Sequence, residues 1–516
     1  MPGVPTLPIE LIIQILNILD YKGLLKCRQI CKQWDLLIQG DTSLIYKVHL
    51  AVNGMEDSNS SSMNVVERLR TLKEHGDDWG KLRFTQDEIV DMNTPANCVW
   101  ELQGGVLTQA RDERTLVFTQ IPSQLRHIQK RTWTLDNLDV VVADYCIDPS
   151  QDLLVIAGER ADGSAPANIH LRTLSSGDTH PRASNVILAY GHDYIGHSHN
   201  IRISGDHVAI CWSGKLLSIW NWKSGVLQMA LKGHHLTFAF LSDDHVLIPR
   251  YHETRVDLIA INFRLASSTL TAVDDIEYDC AFGLPPVNPH SQDINVSMRY
   301  GPAVPNASRL APFHISQEDF LLVVYLTGVT SRWRVGLDRF MIPASTLLRH
   351  LEALPSHTDD RFRIDWDEWG PTGCQVSPLC PGYSNIWIRN VYGTRFVELE
   401  DKNTDESGCI RLFFADFNQV AARKGTVEGQ PLQTAVHITE AVSSDLFQGP
   451  VTTSLPFRSR TCTLSSKTEE RYEGVMVSED AIVLVRYTAS STTLFPVFSR
   501  TDVCHHSETS ELNSVS

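Results

Sequence analysis

The 516-residue sequence contains no CxxC pair, and its eleven cysteines are scattered and odd in number. This pattern excludes a disulfide framework and fits a reduced intracellular protein. Long apolar runs are also missing. The best candidate, Ile9 to Leu19, contains Glu10, Gln14 and Asn17 and has no basic segment before it. It is shorter than the roughly 20 apolar residues a bilayer span needs. No membrane partner is expected, and the cytoplasm, the nucleus or both are the expected location. Positive charge is scarce, with 45 Lys and Arg against 61 Asp and Glu and a net charge of −16. Broad nucleic-acid binding needs a basic footprint, so no nucleic-acid partner is expected. No GxxxxGK[ST], GxGxxG or GxSxG occurs, so neither a phosphate cradle nor a nucleophile elbow is signalled.

Metal chemistry is equally thin. His252-Glu253-Thr254-Arg255-Val256 starts like a zinc-protease helix, but Val256 stands where the second histidine belongs. His192, His197 and His199 are close in sequence without a completing cysteine or carboxylate pattern. Cys374 and Cys380 have no partner pair after them. No metal site, cofactor or catalytic residue is expected. What is present is ordinary for a globular chain: 42% hydrophobic and 21% charged residues.

The first fifty residues carry the strongest local pattern. Pro8 suits a first helical turn, where its missing donor costs nothing. Glu10 in that turn favours the positive end of the helix dipole. Leu11, Ile12, Ile15, Leu16 and Leu19 recur at helical spacing, and Ile9, Ile13 and Ile18 add apolar residues on other faces. A short helix apolar on more than one face needs both a core and a second partner. Asp20 is a candidate N-cap for a second helix carrying Leu24, Leu25, Cys27, Ile30, Cys31 and Trp34.

Leu7-Pro8-Ile9-Glu10, then Leu24-Leu25-Lys26-Cys27-Arg28, then Cys31-Lys32-Gln33-Trp34 resemble the F-box, and Leu37, Ile38, Leu44 and Tyr46 continue its pattern. The resemblance implies docking on a Skp-type adaptor and, through it, on a cullin ubiquitin ligase. The residues it assigns to the adaptor are Leu7, Pro8, Glu10, Leu11, Ile12, Ile15, Leu16, Leu19, Leu24, Leu25, Cys27, Ile30, Cys31 and Trp34.

Residues 51–97 read as a helical connector, with Val66, Leu69, Leu72 and Lys73 at helical spacing. From Cys98 onward the pattern becomes short β-rich runs between Gly, Asp, Ser and Pro turns. An acidic residue followed by an apolar strand recurs at Asp152, Asp206, Asp244, Asp319 and Asp480. Residues 217–225 (LSIWNWKSG) followed by Gly233-His234 resemble a WD-repeat blade, with Trp220-Asn221 where Trp-Asp is usual. Six or seven units are expected, centred near residues 110, 155, 212, 250, 330, 400 and 485. At roughly 57 residues per unit they exceed the usual repeat of about 40–45, so insertions are expected, with the proline-rich 283–312 as the best candidate. An eight-bladed ring or a solenoid is the alternative. The tail 501–516 is polar and expected to be disordered.

The expected fold is therefore mostly β: a β-propeller-like domain over 98–500 after a small all-α F-box over 1–50. Trp366, Asp367, Glu368 and Trp369 precede Gly370-Pro371 and read as an exposed loop that contacts a target. The expected function is a non-catalytic substrate receptor of a Skp–cullin–F-box ubiquitin ligase, binding an unknown target protein. The rivals are an F-box scaffold outside any ligase and a propeller enzyme with an interaction module. Deletion of residues 1–50 is expected to leave a folded body that still holds its target.

Overall fold

The computed structural model describes residues 7–497 apart from 59–62, 83–89, 93–99, 124–127, 161–167, 189–198, 302–310, 317–318, 331–334, 356–361, 379–388, 400–408, 424–432, 436–439, 466–471 and 488–491. The expected disordered tail, His192, His197 and Cys380 lie outside the described residues.

Five helices lead the chain: α1 (Ile9–Ile18), α2 (Tyr21–Ile30), α3 (Lys32–Gly40), α4 (Thr42–Asn53) and α5 (Val65–Lys81). Their starts follow from local chemistry. Asp20 Oδ1 accepts the Gly23 amide at 2.7 Å, and Asp41 Oδ1 accepts those of Ser43 and Leu44. At α5, Asn64 and Glu67 form a reciprocal capping box. The end of α1 is closed from outside, where Lys47 Nζ donates to the carbonyls of Asn17 and Leu19 at 2.7 and 2.9 Å. A cation on those orphaned carbonyls also suits the helix dipole.

The remaining chain is strand-dominated. Among the described residues it forms seven sheets of four or five strands, besides two two-stranded pairings. The first strands are Trp100–Gln103, Val140–Asp148, His199–Ser204, Ala239–Phe240, Gln292–Tyr300, Val391–Tyr392 and Tyr472–Val477. Most touch their counterparts in neighbouring sheets, so they line the axis of a ring. The second strands are Val106–Asp112, Leu153–Arg160, His207–Trp212, His245–His252, Leu321–Val329, Arg395–Leu399 and Ile482–Tyr487. The seven expected unit centres fall on or beside these second strands. Those of the second, third, fourth, fifth and seventh sheets are largely apolar on both faces, as strands covered on both sides are. The last sheet borrows its outer strand, Val90–Met92, from before the first sheet; it pairs antiparallel with Thr492–Val497. That pairing ties the ends of the ring together and covers an open edge.

The long repeat is absorbed differently from expectation. The segment 283–312 is not simply an insertion, because Gln292–Tyr300 is the inner strand of the fifth sheet. The excess lies partly in segments laid across neighbouring sheets. Leu270–Ala272 pairs parallel with Val226–Lys232 in the third sheet. Phe362–Ile364 pairs parallel with Cys280–Gly283 in the fourth. α6 (Ala344–Glu352) follows the third strand of the fifth sheet, and α7 (Trp366–Gly373) touches both the fourth and the fifth.

α4 and α5 share a core with the ring. Tyr46, Leu50, Leu69, Leu72 and Trp79 from α4 and α5 pack with Phe313, Tyr392, Val397, Phe414, Val477 and Leu484. Each fully buried large apolar side chain contributes ~1.5–3 kcal/mol. Polar contacts add direction: Met55–Asp57 pairs with Phe313–Ile315, and Asn418 Nδ2 donates to the carbonyls of Ala51 and Val52. Residue 50 lies inside α4, so a boundary drawn there cuts the shared core. The segments around Phe313, Gly393 and Glu479 connect first strands to second strands. The helices therefore sit on one face of the ring, and the second-to-third-strand turns lie on the other.

Candidate functional site

The four N-terminal helices enclose a very small core of Leu16, Leu24, Ile38 and Leu44, with Ile12, Leu19, Cys27 and Trp34 packed against it. In α1 the residues Ile12, Leu16 and Leu19 face that core. Leu7, just ahead of α1, and Leu11, Ile15 and Ile18, on the adjoining face of the helix, are 52%, 43%, 46% and 84% exposed. A helix buried on one face and apolar on the adjoining one presents a surface that water covers poorly. Ile30 at the end of α2 and Leu36 in α3 extend the exposed apolar set. The α2–α3 junction is held by Arg28, whose Nε is 2.7 Å from Asp35 Oδ1. Hydrogen bonds from Arg28 and Gln39 keep the Asp35 carboxyl below the usual carboxylate range.

The residues assigned to the adaptor from sequence thus divide into two groups. Leu7, Pro8, Glu10, Leu11, Ile15, Ile30 and Cys31 are exposed, and Ile12, Leu19, Leu25, Cys27 and Trp34 are half-buried. Leu16 and Leu24 are fully buried. They are a correction to the sequence reading: their side chains hold the helices together and have no surface to offer. Ile9, Ile18 and Leu36 are exposed apolar residues that the assignment left out. Ile18 was legible, since it continues the Leu11–Ile15 face by three residues.

A family model described as F-box-like matches residues 4–51. Residues 4–51 are an F-box-like domain. The ring that follows it is a β-propeller. No curated protein matches the chain. Among solved structures, the C-terminal WD40 domain of Sif2 is 10% identical, with a TM-score of 0.37 over 81% of this chain and 100% of that one. The WD40 domain of SCAP from fission yeast is 9% identical, with a TM-score of 0.37 over 80% and 98%. F-box domains generally bind Skp-type adaptors, and no helix among the described residues is long and apolar enough to cross a membrane.

On the propeller, the sequence-assigned target loop is not a loop. Trp366 and Trp369 lie in α7, 7% and 1% exposed, with their rings edge to face at 5.2 Å. Trp369 Nε1 donates to the Gly283 carbonyl at 3.0 Å, and its ring meets Phe282. The three-residue spacing of Trp366 and Trp369 is helical and turns both indoles inward, leaving Asp367 and Glu368 exposed between them. His252 and Val256 occupy facing strands of a hairpin, not a helix, and His252 Nε2 is 3.3 Å from Asp257 Oδ2. Trp220 is buried, and Asn221 Oδ1 accepts the amide and hydroxyl of Ser224, closing the turn where Asp is usual.

A polar cluster that sequence reading missed surrounds the propeller axis. Arg389, ahead of the sixth sheet, pairs with Glu101 of the first at 2.5 Å, and both side chains are buried. Asp144 on the second sheet's inner strand is pushed up to about 7. Burial is the main cause, opposed by the Tyr145 amide and Arg202 and reinforced by Glu101. Burial likewise pushes the Tyr300 hydroxyl and the Cys146 thiol up to about 12. These groups come from different sheets, and nothing in their local sequence marks them as neighbours.

Proposed function

We propose that this chain is the substrate receptor of a Skp–cullin–F-box ubiquitin ligase. The F-box-like domain docks on the adaptor, the adaptor joins the cullin, and the propeller holds a target protein. On this reading the chain makes and breaks no bonds itself. It raises the effective concentration of the target's acceptor lysine beside a charged ubiquitin-conjugating enzyme. Such ligases work in the cytoplasm and nucleus, which is where the reading puts this protein.

The observation that carries the proposal is the two-faced α1. Its inner face completes a core, and its adjoining face exposes Leu11, Ile15 and Ile18, with Leu7 just ahead of it, without a stability reason for doing so. Truncating apolar anchors at an interface centre costs about 2 kcal/mol or more each. A Leu11→Ala/Ile15→Ala/Ile18→Ala variant should lose co-purifying adaptor while keeping the circular dichroism of the parent. Adaptor recovery equal to the parent would refute the proposal. The target surface is proposed on the propeller face opposite the helices, where turns on a rigid scaffold are unencumbered by the F-box-like domain.

A further inference from the structure

The exposed apolar residues of the F-box-like domain are interleaved with lysines. Ile18, 84% exposed, is followed across the α1–α2 turn by Lys22. Lys22, Lys26 and Ile30 are spaced four apart, so they share one face of α2, and all three are exposed. Lys32 then begins α3, ahead of Leu36, which is 69% exposed. None of the nearby acids pairs with these lysines. Asp20 accepts the Gly23 amide, Asp35 pairs with Arg28, and Asp41 caps α4. None of Lys22, Lys26 and Lys32 makes an ion pair among the described residues, and Lys22 Nζ lies 5.8 Å from the Tyr21 ring centre. This row of unpaired cations stands on a chain of net charge −16.

We infer that Lys22, Lys26 and Lys32 form an electrostatic guide for an acidic partner surface, and that the adaptor carries carboxylates which meet this row as the apolar stripe closes. The inference rests on the receptor reading above. Its physical content is kinetic. Charges near the edge of an interface set the association rate and its salt dependence more than the final affinity. The same row works against the average field of the chain, which repels an acidic partner. Exposed lysines hold little energy once the complex is formed, because water and salt screen them.

The test measures association of a purified Skp-type adaptor with the full-length chain by surface plasmon resonance. Runs at about 50 mM and about 500 mM salt separate screened from unscreened attraction. The parent should associate about tenfold faster at the lower salt. A Lys22→Glu/Lys26→Glu/Lys32→Glu variant should associate at least about tenfold more slowly than the parent at low salt, approach it at high salt, and dissociate at a similar rate. The uncharged Lys22→Gln/Lys26→Gln/Lys32→Gln variant should fall between them. Equal low-salt association rates for parent and charge-reversed chains would overturn the electrostatic guide alone. Failure of the parent to bind adaptor at either salt would overturn the receptor reading together with it.

Discussion

His75 Nε2 in α5 lies 3.3 Å from Asp480 Oδ1 in the first turn of the seventh sheet, and both side chains are buried. Beside them Trp79 Nε1 donates to the Glu479 carbonyl at 3.2 Å, and the Arg395 guanidinium sits 4.2 Å from the Trp79 ring centre. The imidazole also meets Phe313 edge to face. The connector is therefore a structural part of the propeller, and it sets how the F-box-like domain is presented.

A single cooperative unit follows from this junction. Leaving a buried polar group unsatisfied costs about 1–3 kcal/mol. His75→Ala should lower the urea midpoint of the whole chain, with the propeller and helix signals moving together. Deletion of residues 1–50 removes Tyr46 and Leu50 from the shared core. The truncated chain should be less stable than the parent. Two well-separated unfolding transitions in the intact chain would contradict the shared core.

The two faces of α1 should respond oppositely to truncation. Leu16 is fully buried, so Leu16→Ala should destabilise the F-box-like domain by about 2–5 kcal/mol. Ile18→Ala should change stability by no more than about 0.5 kcal/mol, as surface substitutions do. Hydrogen exchange over residues 9–53 reads both, and equal effects would mean that the helix is rotated from the position described.

Trp369 is expected to be structural. Trp369→Ala removes a buried indole and its bond to Gly283, and should cost about 3–5 kcal/mol. Asp367→Ala and Glu368→Ala, both exposed, should leave the melting temperature nearly unchanged. Differential scanning calorimetry distinguishes these outcomes. An unaltered Trp369→Ala melt would restore the exposed-loop reading.

Asp144 should make stability fall as pH rises. Its carboxyl is raised from the ordinary 3.8 to about 7 in the folded chain, chiefly by burial. Between those values the folded state holds a proton that the unfolded state has released. The contribution of Asp144 is therefore fully present below about pH 4 and is lost as the pH passes through about 7. Asp144→Asn should remove this dependence, so its urea midpoint should gain on the parent at pH 8 relative to pH 5. Parallel pH profiles for the two proteins would show that Asp144 does not titrate in this range.

Much of the molecule was readable without coordinates because the relevant signals are local. The helical spacing of Leu11, Ile12, Ile15, Leu16 and Leu19 predicts α1, and Asp20 does cap α2. The acidic-then-apolar phrases at Asp152, Asp206, Asp244, Asp319 and Asp480 each lead into a second strand. Such strands are apolar throughout because they are covered on both faces, a property that survives in one dimension.

Partner choice was set elsewhere. Helical periodicity shows that α1 has more than one apolar face, yet only packing against Leu24, Ile38 and Leu44 decides that Leu16 is inside and Ile15 outside. The same holds for Trp366 and Trp369, whose acidic neighbours suggested exposure until Gly283 and Phe282 were brought against them. Arg389 meets Glu101 across 288 residues of chain, and Trp79 meets Glu479 across 400. Sequence determines which segments must bury an apolar face or cap an end. The closed ring alone decides which distant segments do the burying, because each contact depends on all seven sheets being in place.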